Sequence, residues 1–164
     1  MGDYKSLLLT TCFPVFGIAL VILSLVPINL TSSPSASPDL LFCYLFAFLF
    51  RFPQNSPLIW IITISLVADF LWFRPLGLAT LTTVLASEFI RWIIRSRERI
   101  GLIEEFAYAT LILIVTTIMQ ELVKFFTLIP SLELNQLVQH ILFTMLTYLV
   151  ILLFVKVIIR FRLV

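Results

Sequence analysis

Asp69-Phe70-Leu71-Trp72-Phe73-Arg74-Pro75-Leu76-Gly77 joins two hydrophobic segments, each long enough to cross a bilayer, and sets an acid and a base at or inside the apolar edge. An ionisable group near the bilayer centre costs about 2.5 kcal/mol or more, so such groups usually face other protein or water. Function is therefore to be sought between Arg51 and Arg91, around this run.

Composition sets the class. The chain is 61% hydrophobic and 12% charged, with a mean hydropathy of +1.13, against roughly 45–50% and about 25% in soluble domains. A soluble chain this small could not hide so much apolar surface. The expectation is a single integral membrane domain over residues 1–164, all-α, because spanning segments satisfy their backbone polar groups internally. The alternating strands of a transmembrane barrel are absent from the sequence.

Outward from the quoted run, Leu58 to Phe73 reads as a span entered through Pro53 and Pro57, with Trp60 and Trp72 placed for the two interfaces. Pro75 and Gly77 make a tight turn, and Leu78 to Ile94 follows at once, so these two segments form an antiparallel hairpin. Upstream, Leu40 to Phe50 is short for an upright span. It crosses either where the bilayer is thinned or where neighbours shelter it. Leu7 to about Ile28 is an uncharged run of about 20 residues, longer than the ~7–15 of a signal-peptide core, so a retained span is expected. The polar stretch Asn29 to Pro38 includes a weak glycosylation sequon, Asn29-Leu30-Thr31, which abuts the membrane and is discounted.

Downstream comes the basic run Arg95 to Arg99. Arg91, Arg95 and Arg99 share one face if the helix continues, and Gly101 is placed as a helix stop. Leu102 to Phe126 is the fifth span, with Glu104 and Glu105 in its first turn, where the helix dipole favours acids. Pro130 to Asn135 reads as a loop and Leu137 to Ile159 as the sixth span. Of the 11 Lys and Arg residues, all but Arg74 and Lys124 fall on one side of this layout. The positive-inside rule then puts both termini in the cytoplasm.

Each charge also has a structural reading. Asp69 and Arg74 are an ion pair or interfacial caps that hold the turn, or else the polar floor of a ligand or partner site. Glu88 lies about 9 Å inside the cytoplasmic end, and Arg91 is one turn on, so an internal salt bridge is expected. A proton relay would need a second deep ionisable group in another helix, and none is evident. Glu104 and Glu105 can clamp the fourth and fifth helices to the arginines, which could instead hold anionic lipid. Glu121 and Lys124 read as a solvated surface pair. Cys12 and Cys43 fall towards opposite leaflets, which argues against a disulfide, and the lone His140 has no ligand partners at metal spacing, so no cofactor or metal is indicated. No nucleophile with a nearby base, phosphate loop or soluble domain supports catalysis, and nothing points to nucleic acid.

Asp69-x5-Pro75-Leu76-Gly77 between two spans, preceded by a short apolar segment ending in Arg51-Phe52-Pro53 and followed by Ser87-Glu88-Phe89-Ile90-Arg91, resembles the MreD family of bacterial rod-shape-determining membrane proteins. The match covers mainly residues 38 to 91; the last two spans agree only in hydropathy. Many members have Gly four residues before the acid, where this chain has Ser65, a small-for-small exchange that still permits close helix packing. The resemblance implies a six-span bundle in the bacterial inner membrane. It implies a non-enzymatic partner of the bitopic protein MreC in the cell-wall elongation complex, with actin-like MreB, a SEDS glycosyltransferase and its transpeptidase. It also implies a fold related to the substrate-binding subunits of energy-coupling-factor vitamin transporters. The competing class is therefore a small-molecule-binding transporter subunit, which would need an outward pocket lined by polar groups.

Overall fold

The structure, a computed structural model, describes residues 2–24, 38–72, 75–97, 101–127 and 133–162. Phe73, Arg74, Arg99 and the Asn29 sequon lie outside the described residues, as do the side chains of Lys5, Cys12, Lys156, Arg160 and Arg162. The chain is all-α. Among the described residues six helices follow one another: α1 Gly2–Ser24, α2 Leu40–Arg51, α3 Leu58–Leu71, α4 Leu78–Ser96, α5 Leu102–Phe126 and α6 Leu134–Arg162.

Local chemistry sets several of these boundaries. Asp39 caps α2 by accepting from the Phe42 amide at 2.9 Å, satisfying one of the donors that a helix start leaves orphaned. α3 starts after Pro57, whose φ of −63° suits a helix entry. Two expectations are corrected. Gly101 does not stop α4, which has already ended at Ser96; it leads into α5 with extended backbone, φ −73° and ψ 158°. The loop expected through Asn135 gives way earlier, because the Leu137 amide bonds the Glu133 carbonyl at 3.0 Å and α6 begins at Leu134.

The helices pack as a closed ring in the order α1, α3, α4, α5, α6, α2, with α2 also touching α4 across the middle. That placement explains the short second helix. Leu41, Cys43, Leu45, Phe46, Ala47 and Leu49 are all buried, so α2 is sheltered on nearly every side by neighbouring helices. α1 and α3 meet closely at Gly17, where an added Cβ would lie 2.8 Å from Ile64 Cδ1. Only a residue without a side chain fits there unless Ile64 shifts.

The outward faces are apolar, with Leu85, Trp92, Leu111, Phe125 and Leu146 all exposed. Among the described residues two helices, Leu102–Phe126 and Leu134–Leu153, are long and apolar enough to cross a membrane by length and composition, and three shorter apolar stretches accompany them. The arrangement is consistent with a helical membrane bundle.

Candidate functional site

At one end of the bundle the quoted run folds around a single carboxylate. Asp69 is completely buried near the end of α3. Its Oδ2 accepts from the Gly77 amide at 3.1 Å, the Thr80 amide at 3.1 Å and the Thr80 hydroxyl at 2.9 Å. Gly77 precedes the first residue of α4 and Thr80 is in its first turn, so the acid of one helix caps the next. The negative charge sits where the α4 dipole is positive. Gly77 makes this possible. With φ +87° and ψ −10° it occupies the left-handed region, and the Leu78 amide bonds back to the Pro75 carbonyl at 3.1 Å, closing the turn. Asp69 Oδ1 and the Ser65 hydroxyl, one turn earlier on the same helix, have no hydrogen-bond partner among the described residues.

Beside this cap is a cavity of about 50 Å³ whose polar walls include Ser65, Thr83, Thr117, Gln120 and His140. Gln120 donates to Thr82 at 3.1 Å, and Thr144 fastens α6 to α2 by accepting from the Asp39 amide at 3.1 Å. The buried Cys43 is unbridged and donates to the Thr144 carbonyl at 3.5 Å. Trp72 reaches α1 through an indole bond to Ser24 at 3.1 Å. Phe70 and Leu76 point outward.

The opposite end is held by arginines. Arg51 at the foot of α2 pairs with Glu105 at 3.5 Å, both side chains nearly buried at 12% and 8% exposure, and the Tyr148 hydroxyl donates to the other Glu105 oxygen at 3.5 Å. This link between α2, α5 and α6 was missed in the sequence, where Glu104 and Glu105 read as one clamp. Adjacent helical residues point about 100° apart. Only Glu104 meets the α4 side, pairing with Arg97 at 3.4 Å on the exposed surface.

The expected internal pair of Glu88 and Arg91 is also corrected. Their charged groups approach to 3.5 Å, but the Glu88 side chain is 49% exposed and faces out of the bundle. Arg91 turns the other way and donates to the Ser56 carbonyl in the connection between α2 and α3. Arg91 Nε has no hydrogen bond despite lying near Glu88, because the contact is long for one. Glu121 and Lys124 do pair, at 2.7 Å, but are partly buried rather than solvated. Of the sequence candidates, Asp69, Pro75 and Gly77 converge on the turn, whereas Glu88 and Arg91 belong to the far end of α4. Arg74 lies outside the described residues.

Among the described residues no three His, Cys, Asp or Glu side chains converge as a metal ion would require. Comparisons of the chain with protein-family models, with curated proteins and with solved structures return no match. What the fold and its polar ends define is a class: an all-α, six-helix protein with membrane-length apolar helices and a helix hairpin locked by a buried carboxylate.

Proposed function

We propose that this chain is a six-span bacterial inner-membrane protein of the MreD kind, with both termini in the cytoplasm. In this reading it is a non-enzymatic scaffold that holds a bitopic MreC-like partner and other members of the cell-wall elongation machinery. The observation that carries it is the turn formed by the residues on which the resemblance rests. Asp69, Pro75 and Gly77 build one rigid, capped corner, and Phe70 and Leu76 stand exposed beside it. A preorganised corner with large apolar side chains suits binding, because little conformational freedom is lost on docking. The asymmetry of Lys and Arg supports the orientation.

The transporter-subunit reading finds its own observation in the polar cavity beside Asp69. At about 50 Å³ that cavity falls well below the roughly 300–1,000 Å³ of small-molecule sites, so the scaffold reading is preferred. Affinity purification from native membrane with mass spectrometry separates the two. Recovery of cell-wall synthesis proteins supports the scaffold, and recovery of an ATPase module overturns it. A finer test is Arg74→Ala, which should accumulate normally yet lose its partner and round a rod-shaped cell. Full partner recovery and normal shape at matched expression would move the binding surface away from this corner.

A further inference from the structure

The walls of the polar cavity beside Asp69 have one hydrogen-bonding sense, which follows from where each hydroxyl has already placed its proton. Thr83 donates to the Ala79 carbonyl at 2.7 Å, Thr116 to that of Ile112 at 2.8 Å and Thr117 to that of Leu113 at 2.7 Å. A hydroxyl has one proton and two lone pairs, so these three wall residues can only accept from whatever fills the cavity. Asp39, also on the wall, accepts too. One of its oxygens caps α2 through the Phe42 amide, and the other has no hydrogen bond among the described residues.

Donors are few on the same walls. The Trp72 indole N–H goes to Ser24, so the ring stands in the wall as an apolar face. Gln120 gives one of its two N–H groups to Thr82 at 3.1 Å. No Lys or Arg lines the cavity to balance Asp39. Ser65, another wall residue and only 3% exposed, has a hydroxyl without a partner among the described residues, the kind of orphan that calls for a bound species. A second cavity, of about 180 Å³, shares Asp39, Trp72 and His140 with the first and extends past Ser24 and Pro38, again without Lys or Arg.

Water would fit the inner space, at ~10–15 Å³ for each molecule. Every water, however, brings two lone pairs to walls that are short of donors. A cation with several N–H groups suits them better, because it donates to the hydroxyls and balances the carboxylate at once.

We propose that the adjoining cavities hold one primary ammonium group. Its nitrogen donates to Asp39 and the threonine hydroxyls in the inner space, and the short carbon stem attached to it lies against Trp72 in the outer one, where an indole face attracts a cation. The group belongs either to a free small amine or to the headgroup of an ethanolamine phospholipid. Only a few heavy atoms are accommodated, fewer than in the roughly 300–1,000 Å³ sites of larger ligands. The site requires neither the protein partner nor the orientation proposed above.

The test uses the full chain, purified in a nonionic detergent and stripped of lipid. Thermal melting is followed at fixed pH and ionic strength while ethanolamine, choline, potassium or acetate is titrated in. Ethanolamine should stabilise saturably and bind about tenfold more tightly than choline, which keeps the charge but has no N–H to donate. Potassium and acetate should do nothing beyond screening. Asp39→Asn should weaken ethanolamine binding about tenfold; Asn is as good a helix cap as Asp, so melting without ligand should change little. Thr83→Val and Thr117→Val each remove one acceptor, leave Asp39 in place and should weaken binding about fivefold. Phosphatidylethanolamine, with phosphatidylcholine of the same acyl chains as control, forms the second arm. The same preference and the same loss in Asp39→Asn with the lipid pair alone assign the ammonium to a headgroup, and with the free amine alone assign it to a soluble ligand.

Choline or potassium matching ethanolamine would show a plain cation site and overturns the proposal. Binding that survives Asp39→Asn or both valine variants overturns it as well. So does the absence of saturable stabilisation by either source of the amine, which would leave a water-filled cavity. None of these results touches the scaffold reading, which stands or falls with the proteins recovered from native membrane.

Discussion

Replacing Asp69 with Ala should be the most damaging single change in the hairpin of α3 and α4. Three donors lose their acceptor: the amides of Gly77 and Thr80 and the Thr80 hydroxyl. The hydroxyl can turn to a carbonyl of its own helix, but the two amides cannot move. A buried donor left without a partner costs about 1–3 kcal/mol, and loss of a helix cap about 0.5–2 kcal/mol. These describe the same bonds and overlap, so the expected loss is about 3 kcal/mol. Asp69→Asn keeps one acceptor oxygen for the same donors and gives up only the charge, which roughly halves the strength of each bond. Its expected loss is about 1–2 kcal/mol, and Thr80→Val, which removes one donor, should cost about 1 kcal/mol. Unfolding in mixed micelles of rising dodecyl sulfate content, followed by two probes to check two-state behaviour, should give the order Ala, Asn, Thr80→Val. A loss below about 0.5 kcal/mol for Asp69→Ala would refute the capping argument. Asn as costly as Ala would show that the charge matters more than the acceptor, which would favour an ion pair with Arg74.

Cysteine labelling of whole cells checks the proposed orientation: a cysteine at Ser33 should react with an impermeant thiol reagent and one at Ser96 should not. Arg91→Ala should destabilise by about 1–3 kcal/mol, because it leaves the Ser56 carbonyl without the guanidinium that now bonds it. Glu88→Ala should cost under about 1 kcal/mol, since its side chain is half exposed; the reverse order in the same assay would restore an internal role for Glu88. Glu105→Ala should cost about 3–5 kcal/mol by stranding the Arg51 guanidinium, whereas the double change Arg51→Met with Glu105→Leu should be nearly neutral. Equal losses from the single and double variants would show that the pair is not what holds α2 to α5.

The helices were legible in the sequence because hydrophobic runs and their breakers are local signals. α5 was placed at Leu102–Phe126, and the starts of α2, α3 and α4 at Leu40, Leu58 and Leu78, all as the structure has them. The turn was legible for the same reason, since Pro75 and Gly77 act within a few residues of themselves. What failed was direction around a helix axis. The spacing of Glu88 and Arg91, one turn apart on one face, predicts a pair and the depth of Glu88 suggests an internal one, yet depth says nothing about which way a side chain points. α4 buries Ala86, Ser87, Ile90 and Ile93, the stripe that Glu88 just misses and Arg91 partly shares.

Distance along the chain hid the rest. Arg51, Glu105 and Tyr148 come from helices far apart in sequence, and nothing local to any of them names the other two. The ring order brings them together, because α6 closes against α2 as well as against α5. That closure also leaves α2 with neighbours on almost every face, which is why a helix of only 12 residues can sit in an apolar bundle without exposing its unpaired ends. Its start is capped by Asp39 and fastened through Thr144. Its foot ends in Arg51, a cation in the last turn, where the helix dipole is negative and Glu105 is in reach. The residue that terminates the helix is thus also the one that joins it to the far side of the ring, so a change at Arg51 should disturb helix end and ion pair together, whereas a change at Asp39 should leave that ion pair intact.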